Sequence, residues 1–280
     1  MSIMTADPRG IRSYTLAATG LLIAGLYLFP VYWMYVSSIK ASFELNAAKP
    51  TLLPQSPTLA AYAWIFVREN VGRYMTNSLI IASAVTALTL LLATGASYAL
   101  SRIRSFFMDA VLIGIMLSQV LPPALLATPM FVIFKQIGLV NTQTAVVLAT
   151  VTKTLPFAVI MLRTTFAQIP TELEEAARVD GCNRVSAFLR VTLPLARAGY
   201  IVVGTLVFLL AYGEFVYPVS LVNRNELQPA TVGLYSFVGA DYSDWGNAMA
   251  FASVIVTPVI LIFVVLQRRI ISGLTAGALK

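Results

Sequence analysis

Six stretches of this chain run for twenty residues or more with at most one charged side chain apiece: residues 14–36, 74–100, 107–134, 143–162, 198–222 and 245–267. A spanning helix needs roughly 20 mostly apolar residues to cross about 30 Å of hydrocarbon. The expected fold is therefore an all-α membrane protein, a single transmembrane domain over residues 1–280 with six transmembrane helices. Composition agrees: 58% of residues are apolar and 11% charged, whereas a soluble domain carries about 25% charge. Arg9 and Arg12 precede the first stretch as in a signal peptide, but the apolar run is too long for an h-region and no small-residue cleavage site follows, so it reads as a retained anchor.

The third and fifth stretches are expected to be interrupted. Leu121-Pro122-Pro123 and Pro129 lie in the third, and Pro156, Pro218 and Pro258 in the fourth, fifth and sixth. Proline removes a backbone hydrogen bond and clashes with the preceding turn, which membrane helices tolerate where neighbours or cavity water satisfy the freed groups. Such breaks serve alternating access as hinges; packing is the plainer reading of any single proline.

Lys and Arg in short flanking loops set orientation. With both ends inside, twelve fall on the cytoplasmic side (Arg9, Arg12, Arg102, Arg104, Arg163, Arg178, Arg184, Arg190, Arg197, Arg268, Arg269, Lys280) and six outside (Lys40, Lys49, Arg68, Arg73, Lys135, Arg224). Residues 163–197 and both termini are expected in the cytoplasm, and residues 37–73 and 223–244 outside. The net charge of +7 then reflects topology and not nucleic-acid binding.

The chain has no histidine and one cysteine, Cys182, which excludes disulfides, zinc sites and histidine acid-base chemistry within it. No G-x-x-x-x-G-K-[ST] segment is present, so nucleotide phosphates are not cradled here in the P-loop manner. Any ATP dependence comes from a partner.

Residues 171–194, TELEEAARVDGCNRVSAFLRVTLP, form a polar island in this background. Thr171 stands three residues before Glu174, the spacing of a capping box, and a helix is expected to start there. Glu172, Glu174 and Glu175 occupy its first turns, where the macrodipole favours carboxylates. Leu173, Ala176 and Ala177 make a narrow apolar face. Gly181 suits the left-handed end of that helix, and Asn183 suits the N-cap of a second one bearing Val185, Phe188 and Leu189. Two adjacent alanines let another backbone approach closely, with Glu175 as a charged anchor at the rim. A surface helix lying on lipid is the competing reading, but such helices favour Lys and Arg, and here Arg178 faces four carboxylates including Asp180. Docking to a protein is preferred.

Glu175-Ala176-Ala177, three residues, Gly181, then Val191-Thr192-Leu193-Pro194 resembles the EAA motif of permease subunits of bacterial ABC importers, departing at Val191, where isoleucine is usual. An opening span followed by a Pro-containing loop, the stretch Arg73-Tyr74-Met75-Thr76-Asn77-Ser78 and the tail Gly273-Leu274-Thr275-Ala276-Gly277 are similar to the maltose-transporter MalG type, in the carbohydrate-uptake branch. The resemblance implies a six-helix permease with a cytoplasmic EAA coupling helix pair between spans four and five. The implied partners are a second homologous permease, two ATP-binding cassette ATPase subunits that hold ATP and Mg, and an extracytoplasmic sugar-binding protein, all at the bacterial cytoplasmic membrane. The chain itself would carry no cofactor and no catalytic or metal site. Carried over residue by residue, the coupling set is Glu174, Glu175, Ala176, Ala177, Asp180, Gly181, Leu193 and Pro194. The tail, residues 267–280, is either a second ATPase contact or a frayed basic helix end.

Glu214 lies deep in the fifth span, where a carboxylate costs roughly 3 kcal/mol on insertion scales. Its segment Tyr212-Gly213-Glu214 is similar to the family's Trp-Asn-Glu stretch, with Tyr212 and Gly213 as departures. With Gln119, Tyr212 and Asn223 it is a candidate lining of a sugar path; a structural hydrogen bond across a permease interface is the alternative. Lys153 either pairs with Glu214, lines the path or snorkels. Asn223, Arg224, Asn225, Gln228, Asp241, Tyr242, Asp244 and Trp245, with residues 37–73, form a candidate face for the binding protein.

An ion-gradient-driven secondary transporter is the alternative function. It calls for ionisable residues deep in several spans and an internal repeat, whereas only Glu214 and Lys153 answer the first and no repeat is evident. A scaffold role explains the broken helices poorly.

Overall fold

The computed structural model describes the backbone of residues 8–238 and 244–275, and side chains within 14–238 and 244–267. Asp241, Tyr242, Lys280, Ala276-Gly277 of the tail, and the side chains of Arg9, Arg12, Arg268 and Arg269 lie outside the described residues. Two compact units emerge. One holds the residues up to Asn70 with Phe237–Val256, the other Val71–Ser236 with the residues from Thr257 on.

The first unit contains α1 (Pro8–Ser38), α2 (Ser42–Leu45), α3 (Ala60–Val67) and the opening of the last helix, Trp245–Thr275. Its described elements meet through hydroxyls: Tyr62 Oη lies 2.7 Å from both Ser38 Oγ and Ser253 Oγ. Trp64, Phe237 and Phe251 pack edge to face beside them. The 41–57 loop is pinned by Glu44, whose carboxylate accepts the Gln55 and Ser56 amides at 2.8 and 2.7 Å, and by Lys40, which donates to the Thr51 carbonyl and sits 4.5 Å over the Trp33 ring.

The second unit is built on α4 (Val71–Arg102). Then come α5 (Phe106–Ser118), α6 (Pro123–Gln136), α7 (Gln143–Ala167), α8 (Thr171–Val179), α9 (Arg184–Ala187), α10 (Leu193–Leu195), α11 (Arg197–Tyr212), α12 (Val216–Leu221) and α13 (Ala230–Tyr235), with α14 being Trp245–Thr275. Helices α4, α7 and α11 form the core. Small residues line it, including Ala82, Ala93, Ala149 and Ala158, and let the helices approach as membrane interfaces require. Thr89 and Thr154 hydrogen-bond across α4 and α7 at 2.8 Å, and a Cβ on Gly199 of α11 would collide with the Thr165 side chain of α7.

Among the described residues, four helices are long and apolar enough to span outright: Tyr14–Ser38, Val71–Arg102, Gln143–Ala167 and Trp245–Gln267. They match the first, second, fourth and sixth expected spans. The third is α5 and α6, set at 97°; this is a turned corner and not a kink. Pro122 is extended (φ −67°, ψ 137°), and a residue preceding proline, as Leu121 and Pro122 both do, is disfavoured in the α region. The fifth breaks between Tyr212 and Val216, ahead of Pro218, which lies inside α12. Pro129, Pro156 and Pro258 sit within continuous helices.

Asn77 organises one end of the second unit. Its amide donates to the Glu226 and Gln228 carbonyls, each at 2.9 Å, and its oxygen accepts from Gln143 Nε2 at 2.8 Å. Ser78 Oγ accepts from the Ala230 amide at 2.8 Å, and Gly233 lies against the Tyr74 ring so closely that a Cβ would sit 3.0 Å from it. Each such hydrogen bond nets about 1 kcal/mol, and an orphaned buried partner costs about 1–3 kcal/mol. Asn77→Leu should therefore destabilise the detergent-solubilised protein by roughly 2–4 kcal/mol, read as a drop in thermal unfolding midpoint; an unchanged midpoint would refute the clamp.

Candidate functional site

The polar island folds as a bent pair. Helix α8 begins at Thr171 and ends at Val179; Gly181 follows in the left-handed region with φ +94°. Asn183 caps α9, its Oδ1 accepting the Ser186 amide at 2.7 Å. A π-helical turn, Phe188–Thr192, then leads into α10 and α11. No residue of α8 is buried. Leu173, Val179, Val185 and Leu189 are all exposed, as are Glu175, Ala176 and Asp180.

The capping box does not form. Pro170 occupies the N-cap position without a side-chain hydrogen bond, so Thr171 is already inside the helix and Glu174 stands one position too far along to close the box. Its carboxylate is instead taken by stronger, charge-assisted donors. Arg102 gives Nε at 3.0 Å and Nη2 at 2.5 Å to Oε1, Thr192 Oγ1 donates to Oε1 at 2.8 Å, and Tyr98 Oη donates to Oε2 at 2.6 Å. Arg102 Nη1 continues to the Phe166 carbonyl at 3.1 Å. The rings of Tyr98, Phe166 and Phe188 close around this cluster, with centroids 4.6–5.9 Å apart.

Burial opposes ionisation of Glu174, but the hydrogen bonds from Tyr98, Arg102 and Thr192 outweigh it and hold the carboxyl below its ordinary value of 4.5. A depressed carboxyl stabilises the folded state above its unfolded value, and that contribution disappears as pH falls through the folded value. Its side chain is 12% exposed, and hydrogen bonds to charged groups net about 1.5–3 kcal/mol. The thermal midpoint of wild-type protein should exceed that of Glu174→Gln by a constant margin from about pH 8 to 5, the gap closing below about pH 4. A gap that persists at low pH would contradict this account.

Of the four candidate path residues, two, Glu214 and Gln119, contact Lys153. Glu214, its side chain 2% exposed, places Oε2 2.6 Å from Lys153 Nζ. Its Oε1 accepts the Phe215 and Val216 amides at 3.2 and 2.9 Å, capping α12. Gln119, at the α5–α6 corner, donates Nε2 to the Lys153 carbonyl at 3.3 Å. A cavity of about 30 Å³ lined by Gln119, Thr152, Lys153, Pro156 and Tyr217 lies there. Tyr212 is buried, its hydroxyl 3.7 Å from Met75 Sδ, and Asn223 is exposed, its amide held by Asn141 Oδ1 at 2.8 Å; neither joins the ion pair. Of the three roles open to Lys153 in the sequence, the structure has it paired with Glu214, and the signal for this is two opposite charges, each alone in its apolar span. In the 223–248 segment, Arg224 pairs with Glu226 at 2.9 Å and Asp244 caps α14 through the Asn247 amide.

Residues 90–275 match the family model described as "Binding-protein-dependent transport system inner membrane component". The sulfoquinovosyl glycerol transport system permease protein SmoH of Agrobacterium fabrum is 35% identical over 265 residues, 95% of this chain and 92% of that protein. The diacetylchitobiose uptake system permease protein DasC of Streptomyces coelicolor is 34% identical over 92% of this chain and 94% of its own length. The trehalose/maltose transport system permease protein MalG of Thermococcus litoralis is 32% identical, over 96% and 98%. Among solved structures, a chain of a bacterial ABC transporter that imports the acidic polysaccharide alginate superposes with a TM-score of 0.78 at 20% identity, covering 95% of this chain and 99% of that one. A family model that runs from within α4 to the end of α14, and relatives this similar over nearly full length, leave one assignment: the chain belongs to the family of binding-protein-dependent transport system inner membrane components, as a multi-pass permease subunit of an ABC importer.

Proposed function

We propose that this permease carries a sugar or sugar derivative inward across the bacterial cytoplasmic membrane. The relatives point there, being permeases for a sulfoquinovosyl glycerol, a diacetylchitobiose and a trehalose/maltose system. The chain works with a second homologous permease and an extracytoplasmic sugar-binding protein. Two ATPase subunits supply ATP binding with Mg and hydrolysis. Residues 163–197 and both termini face the cytoplasm, in line with the lysine and arginine distribution.

The α8–α9 pair carries this reading. It is polar, shows Leu173 and Val185, with Leu189 of the following turn, on its exposed side, and presents Glu175, Ala176, Ala177 and Gly181 as the surface that seats on the ATPase, with Asp180, Leu193 and Pro194 completing the set. An ion-driven carrier has no need of such a pair. Purification of the chain from its native membrane in mild detergent should bring with it a second permease and a P-loop ATPase, and Glu175→Lys should strip the ATPase while the permeases stay together. Recovery of the chain alone, still moving solute under an ion gradient, would replace the importer reading.

The Lys153–Glu214 pair with Gln119 is the stretch of the sugar path proposed within this chain; Tyr212 and Asn223 flank it more remotely. Glu214→Ala would also uncap the Phe215 and Val216 amides and take the counter-charge from Lys153, so that variant alone confounds folding with transport. The double variant Lys153→Met/Glu214→Gln should assemble normally and lose most sugar uptake, measured as initial rate in proteoliposomes. Full uptake would leave the pair a purely structural role.

A further inference from the structure

We propose that Glu174 is a positioning residue, a latch that passes movement of α8 to α4, separate from the outward surface that meets the ATPase; this rests on the importer reading above. Glu174 and Glu175 are neighbours in sequence but face about 100° apart on a helix of 3.6 residues per turn. Glu175 is exposed and takes part in none of the ion pairs among the described residues. Glu174 turns inward and collects four hydrogen bonds from three residues.

Those residues sit at places that matter mechanically. Tyr98 and Arg102 lie in the last turns of α4, and Thr192 closes the π-helical turn that leads to α11. Arg102 also holds the end of α7 through the Phe166 carbonyl. One carboxylate thus joins α8 to the ends of two core helices and to the entrance of the third. α8 buries no residue of its own and its apolar Leu173 is exposed, so no buried apolar contact carries a push to the core; Glu174 is its polar connection to α4. The aromatic rings behind the latch limit slippage: Phe166 also meets Tyr200 at 6.0 Å, and Tyr200 Oη lies 2.6 Å from Thr94 Oγ1. The π-helical turn is part of the fit, since its wider winding carries both Phe188 and Thr192 to the Tyr98 side.

The latch separates two quantities that a merely structural residue would move together, ATP hydrolysis and the uptake it drives. The test uses the whole complex in proteoliposomes, with uptake and hydrolysis measured on the same preparation for wild type, Glu174→Gln and Tyr98→Phe. Both substitutions keep size, and Tyr98→Phe deletes one hydroxyl from a residue away from the docking surface. Uptake per ATP should fall tenfold or more in Glu174→Gln and severalfold in Tyr98→Phe, with the ATPase still bound. A ratio equal to wild type in both, even with both activities lowered, would overturn the latch, as would loss of the ATPase from either variant, which would make Glu174 a docking contact. A wild-type complex without ATP-dependent uptake would instead fail the importer reading itself.

Discussion

A helix can stop inside hydrocarbon only where something else takes up the N–H and C=O groups that the stop sets free. Two stops in the second unit obey this in different ways. At the α11–α12 break the Glu214 carboxylate accepts the Phe215 and Val216 amides, and Thr231 Oγ1 donates to the Glu214 carbonyl at 2.7 Å. At the α5–α6 corner Pro122 and Pro123 carry no N–H, so the corner frees fewer donors, and Gln119 spans from it to α7. Capping with a carboxylate brings a charge into the interior, and Lys153 answers it. Loss of Lys153 alone would leave the buried Glu214 carboxylate without its counter-charge, a costly state, so the charge that caps the break is tied to its partner on α7.

The same device appears at the far end of the core helices. Glu174, like Glu214, gathers donors from separate elements onto one carboxylate. The two differ in setting: Glu214 caps a neighbouring helix in its own strand of chain, whereas Glu174 reaches Tyr98 and Arg102, 76 and 72 residues away. One carboxylate stabilises a discontinuity and the other bridges one. Between them run α4, α7 and α11, packed on small residues and on the close approach at Gly199, so displacement at either end meets a stiff core.

What could be read from residues alone follows the range of the physics. The four outright spans, the left-handed Gly181 and the Asn183 cap depend on windows of a few to about 20 residues, and the structure has them at the expected places. The capping box is also a local pattern, yet the helix starts with Pro170 at the N-cap position, and Glu174 turns to Arg102, which nothing near Thr171 announces. Prolines marked the third span as interrupted but not its 97° turn, which depends on what fills the space around it. In the fifth span Pro218 lies inside α12, and the break is at Gly213-Glu214-Phe215, where a carboxylate caps the next helix. Asn77 stood out only as part of a family-like stretch; its partners lie 66 to 151 residues away.

The bend at Gly181 shows how the island can be both anchored and open. Open space surrounds it: a Cβ there would meet nothing within 4 Å. The requirement for glycine lies in its φ of +94°, which other residues adopt at a cost. A side chain at this position would act on the angle between α8 and α9 and not through a clash. That angle decides whether Glu174 reaches Arg102 while Leu173 and Ala176 stay turned outward. The latch and the proposed docking surface thus lie on one helix whose junction with the next turns at Gly181.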